Sequence, residues 1–282
     1  MKTIEDYNKL IQKKPNDAEL YRLRGVEFVN KEEYDRAIID FDQAIKLNPN
    51  CAKAYNSRGF AYRNKNELDQ AINDFNRSIQ LDSKLTGPYF NRGITYYLMD
   101  DGKKAAEDFT KVIELDPNDS QAYINRGLIF SNFGYDCLIT KKIDLGNQFT
   151  DSSIADFTQA IKIDPNNAIV YTNRGQAYSQ KGDYEKAILD FSQSIKLNPN
   201  HADGYLQRAK TYKQLKNYDN AFNDFKKALK LDPNDWDIYN SRAFLYNEIC
   251  DYKNAIIDWE ASMKLNPNDS TKQMIEMTKR KL

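Results

Sequence analysis

The apolar positions of this chain follow two superposed periods. The short period is helical. Around residue 60, Tyr55, Gly59 and Tyr62 stand at i, i+4 and i+7, and Ala71, Phe75, Ser78 and Leu81 repeat the pattern on a second segment. Residues spaced in this way share one face of an α-helix. The long period is 34 residues. Arg-Gly or Arg-Ala pairs begin at Arg24, Arg58, Arg92, Arg126, Arg174, Arg208 and Arg242, each 34 residues after the last except for one interval of 48. Asp-aromatic pairs keep the same phase at Asp40, Asp74, Asp108, Asp156, Asp190, Asp224 and Asp258. Pro49, Pro117, Pro165, Pro199, Pro233 and Pro267 punctuate the series, with Ser83 standing where the second repeat has no proline.

Together the two periods predict one helix pair per repeat. The small residue after each arginine lets the two helices approach closely. The proline, lacking an N–H, ends the second helix, and the Asn or Asp that follows caps the next. A single pair buries only part of its apolar face, so neighbouring pairs must stack. The expected repeats run 18–51, 52–85, 86–119, 120–167, 168–201, 202–235 and 236–269. Tyr7, Leu10 and Pro15 match the second-helix register, which makes 1–17 a half repeat. Residues 270–282, where Gln273 replaces the first-helix aromatic, read as a polar capping helix. The fourth repeat carries fourteen extra residues within 135–152. Two readings stand open for them. They lengthen both helices by about two turns each, or, given Gly134 and Gly146, they form a loop with a short helix. The apolar Cys137, Leu138, Ile139, Ile143, Leu145 and Phe149 are too many for a purely solvated loop and should fold back or meet a partner.

The order aromatic, small residue, aromatic, alanine, aromatic, proline resembles the tetratricopeptide repeat family, and the resemblance covers nearly the whole chain. One departure is the arginine before the small residue, where the family often has leucine. The resemblance implies an all-α fold, a right-handed superhelical solenoid of antiparallel helix pairs whose first helices line a concave groove. It also implies a protein- or peptide-binding scaffold. The groove face carries Asn56, Phe60, Phe90, Ile94, Tyr97, Ile124 and Leu128, then Thr172, Gln176, Leu206, Lys210, Asn240 and Phe244. An apolar stretch rimmed by polar residues marks a contact surface. A short polar residue precedes the arginine in six repeats, at Ser57, Asn91, Asn125, Asn173, Gln207 and Ser241. An asparagine offers a donor and an acceptor, as a peptide group does. The expected peptide-binding set is therefore Asn56, Phe60, Phe90, Asn91, Ile94, Tyr97, Ile124, Asn125, Leu128 and Asn173. The competing reading packs the apolar members against the second helices or the insertion and turns the asparagines onto their own helix. The chaperone-tail clamp of the family asks for Lys and Asn four residues apart. The pairs here are Arg22/Val26, Asn56/Phe60, Phe90/Ile94 and Ile124/Leu128, and none fits, although Lys53 and Arg63 leave positive charge near one end.

Charge and composition narrow the function further. Lys plus Arg and Asp plus Glu are 41 each, so the net charge is zero. That disfavours nucleic acid, whose phosphates call for a basic field. Cys51, Cys137 and Cys250 are far apart and form no CxxC pair, which disfavours a disulfide framework or a zinc site and suits a reducing compartment. No apolar leader or membrane span is evident, and the expectation is a cytoplasmic protein without cofactor or metal. Carboxylates recur in phase with the repeat, whereas a catalytic residue should occur once. The only histidine, His201, sits at a repeat junction. A non-enzymatic scaffold for a protein or extended peptide follows, with self-association as the alternative; a co-chaperone or RNA-binding role is disfavoured. The arginines and aspartates are expected to pair in the framework rather than display a ladder of cations, and the tyrosines to pack between helices.

Overall fold

The computed structural model describes residues 3–282, and the described residues form sixteen α-helices and no strand. The first two residues of the expected half repeat lie outside them. The chain divides into two compact units, Met1–Ile129 and Phe130–Leu282. In the first unit, α1 (Ile4–Lys13) precedes the pairs α2 (Ala18–Asn30) with α3 (Tyr34–Leu47), α4 (Ala52–Asn64) with α5 (Leu68–Leu81), and α6 (Thr86–Leu98) with α7 (Gly102–Leu115). Next come α8 (Ser120–Ile139) and α9 (Ile143–Ile163). The second unit continues with α10 (Ala168–Lys181) and α11 (Tyr184–Leu197), α12 (Ala202–Gln214) and α13 (Tyr218–Leu231), and α14 (Trp236–Glu248) and α15 (Tyr252–Leu265). It ends with α16 (Asp269–Lys279), whose Ile275 is buried beside Ala243, Ala255, Ile256 and Trp259.

Each pair closes through a tight turn with one residue in the left-handed region: Glu32, Asn66, Asp100, Lys141, Gly182, Lys216 and Cys250, at φ between 55° and 84°. Only one of these is glycine, so the other turns adopt a conformation that L side chains resist by about 1 kcal/mol. The packing between helices overrides that preference. Phe41, Phe75, Phe109, Phe157, Phe191, Phe225 and Trp259 are essentially without solvent exposure. The small residue on the partner helix makes room for them. A Cβ placed on Gly59 would lie 2.7 Å from Cε1 of Phe75.

The arginine series locks this geometry. Nε and Nη2 of Arg58 donate to both oxygens of Asp74, at 2.8 and 2.7 Å. The same fork joins Arg24 to Asp40, Arg92 to Asp108, Arg174 to Asp190, Arg208 to Asp224 and Arg242 to Asp258. A planar guanidinium suits this two-point contact in a way an ammonium does not. The third arm reaches backwards. Nη1 donates to an acceptor sixteen residues upstream, on the preceding helix: Arg24 to Asn8, Arg58 to Asp42, Arg92 to Asn76, Arg126 to Thr110, Arg174 to Thr158 and Arg208 to Ser192. One side chain therefore ties three helices. At Arg58, Arg92, Arg174 and Arg208, tyrosines three residues before and four after pack over the guanidinium, as Tyr55 and Tyr62 do at 5.5 and 5.9 Å from Arg58. The arginines are framework, and so are these tyrosines.

The backward arm is missing at Arg242. The position sixteen residues upstream is Lys226, an exposed cation with nothing to accept a bond. Two outcomes follow. Arg92→Ala leaves the buried carboxylate of Asp108 unpaired and should cost about 3 kcal/mol, read as a lowered midpoint in urea unfolding. Lys226→Ser, which copies the Ser192 acceptor of Arg208, should raise stability by about 1 kcal/mol. An unchanged or lowered melting temperature for Lys226→Ser would show that the third arm adds nothing at this junction.

Candidate functional site

In the first unit, the first helices of successive pairs present their remaining face as a row of side chains. Asn56 and Phe60 stand on α4, with Arg63 one turn further. Phe90, Asn91, Ile94 and Tyr97 stand on α6. The amide of Asn91 donates from Nδ2 to Oδ1 of Asn56 at 3.1 Å, and its own Oδ1 accepts from Nη1 of Arg63 at 3.3 Å. The guanidinium of Arg63 lies 4.7 Å over the ring of Phe60. These contacts join α4 to α6 in one polar network backed by an aromatic ring.

Arg63 differs from the framework arginines in having no carboxylate. Hydrogen bonds to Asp190 and Asp224 hold Arg174 and Arg208 above the ordinary arginine range. Burial pushes Arg63 below it, and the only neighbour pulling the other way is the phenol of Tyr34. A half-buried guanidinium in this state has donor capacity to spare, and a planar anion is its natural complement.

The other expected residues divide. Tyr97 and Leu128 are 48% and 37% exposed, and Ile94 is half-buried. Phe90 meets Phe109 of α7 edge-on, with ring centroids 5.5 Å apart. Ile124 is a core residue at 8% exposure, so its side chain is taken up by packing and not by the groove face. The Asn125 amide donates to the carbonyl of Gln121 on its own helix at 2.8 Å. Gln207 and Ser241 likewise bond to Asp203 and Asp237 one turn earlier. Asn173, in the second unit, is half-buried on α10. Of the polar series, Asn91 reaches a side chain on a neighbouring pair, so a continuous ladder of amides is not what these bonds form. Sequence reasoning undervalued Arg63. Its signal was position: seven residues after Asn56 and three after Phe60, on the same helix face.

The insertion in the fourth repeat resolves as longer helices. α8 has 20 residues against 13 in α4, and α9 has 21 against 14 in α5. The turn at Lys141 keeps the left-handed residue found in the other pairs. Gly134 and Gly146 are contact points rather than breakers. A Cβ on Gly134 would lie 2.7 Å from Oγ1 of Thr150, and one on Gly146 would lie 2.9 Å from Cγ of Leu138. Phe149 packs against Phe130 and Phe133, with centroids at 6.1 and 5.4 Å. Tyr135, Ile139, Ile143 and Leu145 remain exposed. Among the described residues, no helix is long and apolar enough to cross a membrane, and no group of three or more His, Cys, Asp or Glu is placed to hold a metal.

Known proteins show the same architecture. Tetratricopeptide repeat models match residues 52–85, 88–119, 168–201 and 202–235. A further model, described as a TPR repeat, matches 25–64 and 150–182, and another tetratricopeptide repeat model matches 225–256. No curated protein matches the chain. Among solved structures, a tetratricopeptide repeat protein from Parabacteroides merdae ATCC 43184 is 17% identical, with a TM-score of 0.64 over 96% of this chain and 98% of that one. YrrB, described as a TPR protein with an unusual peptide-binding site, is 23% identical, with a TM-score of 0.57 over 72% of this chain and 97% of its own. The Cut9–Hcn1 hetero-tetramer of APC/C gives 18% identity and a TM-score of 0.62 over 98% of this chain and 52% of that one. At these identities the likeness is one of fold.

The close approach at Gly134 is open to measurement. Gly134→Val should overpack the α8–α9 contact and lower stability by about 2 kcal/mol. Gly87→Ala is the control, because the nearest atom to its added Cβ lies at an ordinary 3.5 Å. Equal thermal melting of the two variants would show that the lengthened helices do not depend on glycine packing.

Proposed function

The chain belongs to the tetratricopeptide repeat family, and on that premise we propose that it is a scaffold that binds an extended peptide segment of a partner protein along the first-helix face of its first unit. Arrays of this family commonly mediate protein and peptide binding. YrrB, similar in fold, is described by its peptide-binding site, and Cut9 was solved in complex with Hcn1.

The observation that carries the reading is the network of Arg63, Asn91 and Asn56. It holds a half-buried guanidinium without a carboxylate partner beside two amides, on helices of adjacent repeats. The amides match peptide groups, and the guanidinium matches an Asp or Glu side chain or a chain terminus. Tyr97 and Leu128 add exposed apolar surface for the neighbouring side chains of such a segment. The framework arginines take no part, because their forks are filled.

The test is selection of displayed random peptides on the intact protein. Bound sequences should be enriched in an acidic residue at one position. Their affinity should fall roughly tenfold or more in Arg63→Gln and in Asn91→Ala, the scale of a hydrogen bond to a charged group. Both variants should melt close to the parent protein. Peptides that bind Arg63→Gln and Asn91→Ala as tightly as the parent would move the site elsewhere.

A further inference from the structure

The extra residues of the fourth pair sit at its turn. Arg126 stands thirteen residues before the end of α8, whereas Arg58 stands six before the end of α4. The turn is thereby carried about 10 Å further from the arginine than in the α4–α5 pair. The inner part of the addition packs on itself through Gly134, Gly146 and Phe149. The apex does not. Ile139, Ile143 and Leu145, three large apolar side chains within seven residues, are 61%, 59% and 42% exposed.

The charges of the apex also depart from the repeat. In the other pairs the second helix opens on Glu33, Glu67, Asp101, Asp183, Asn217 or Asp251 at its N-cap. The positive end of the helix dipole favours an acid there. Glu67, Asp101 and Asp183 are moreover paired with Lys65, Lys104 and Lys186 at 2.7, 2.7 and 2.6 Å. At α9 the N-cap is Lys142, which makes no capping bond and carries the same sign as the helix end. Lys141 stands beside it in the turn. Asp136 precedes them on α8, and Asp144 follows in the first turn of α9. All four charges are exposed, and none has an ion-pair partner among the described residues.

We propose that this apex is a self-association surface, covered by the same apex of a second copy of the chain. Two acids and two lysines lie within the nine residues 136–144, so a partner of either sign would meet two like charges. The pattern instead complements itself. Asp136 lies about 7 Å along the helix direction from Lys141. Two apices side by side and antiparallel bring the lysines of each to Asp136 of the other. Each contact is then made twice, as a two-fold axis requires. Ile139 lies between the acid and the lysines in sequence, so it falls near that axis and packs on its own copy, with Ile143 beside it. Lys142 gains the acid that most other second helices carry in their own N-cap. About ten residues a side are fewer than the roughly 20–30 of a standard interface, so the dimer is weak and reversible. The surface is independent of the Arg63 network in both location and chemistry.

Sedimentation velocity of the intact protein over roughly 1 µM to 1 mM, the span of weak affinities, is the measurement. A monomer–dimer equilibrium is expected. Ile139→Ser should weaken it roughly tenfold or more, the loss of one buried apolar side chain in each copy. Asp136→Lys and Lys142→Glu should each weaken it by a similar factor, because like charges then meet across the axis. An equimolar mixture of those two variants should regain the dimer as a heterodimer, since opposite charges face each other again. Arg63→Gln should dimerise as the parent does, which separates this surface from the peptide site proposed above. If Ile139→Ser fails to fold, the mixture of charge variants decides the question alone. A monomer at every concentration, a dimer indifferent to these substitutions, or a mixture that stays monomeric would each overturn the proposal. So would a monomeric parent that binds vesicles of anionic phospholipid through Ile139, which would make lipid the occupant.

Discussion

The guanidinium fork that joins the first and second helix in six of the pairs is the interaction on which the rest depends. A helix pair of 27 residues cannot bury enough surface alone, so its two helices must be held in one register and then held to a neighbour. Arg58 does both. Two of its nitrogens fix Asp74 across the pair, and the third reaches Asp42 on the pair before. The contact is geometric as well as electrostatic, because a fork admits one orientation. Phe75 then fills the space that Gly59 leaves, and the hydrophobic contact completes what the fork positions.

Filling these arginines has a consequence for function. A chain with an arginine in every repeat looks suited to anions, yet the structure gives six of these forks to an aspartate of the same helix pair. What stays available is defined by exception. Arg63 lies off the framework register and has no acid. Lys226 occupies a position where other repeats place an acceptor. Lys142 opens α9 where most other second helices open on an acid. Departures from a repeat are informative because the repeat itself already accounts for everything in phase.

The fourth repeat shows how an insertion can be absorbed without breaking the pattern. Seven residues before the turn and seven after it preserve the turn itself, and the added turns pack through two glycines and the rings of Phe130, Phe133 and Phe149. Gly134 and Gly146 read in the sequence equally as breakers or as small contact residues. Local propensity could not separate the two, since the choice depends on what stands opposite each glycine, and Thr150 and Leu138 are sixteen and eight residues away.

The sequence by itself determined the family, the helical class, the pairing of arginine with aspartate and the buried aromatics. Each is written as a residue type at a fixed period, and periodicity survives without coordinates. The tertiary structure decided which candidate side chains are free. Asn91 turns outward to Asn56 while Asn125 turns back to Gln121, although both occupy the same repeat position. Ile124 sinks into the core while Leu128, one turn on, stays exposed. Arg63 lies over Phe60 and bonds Asn91 in place of an acid. Those outcomes depend on neighbours contributed by other helices, and the identity of a neighbour is fixed by packing rather than by the position of a residue in its repeat.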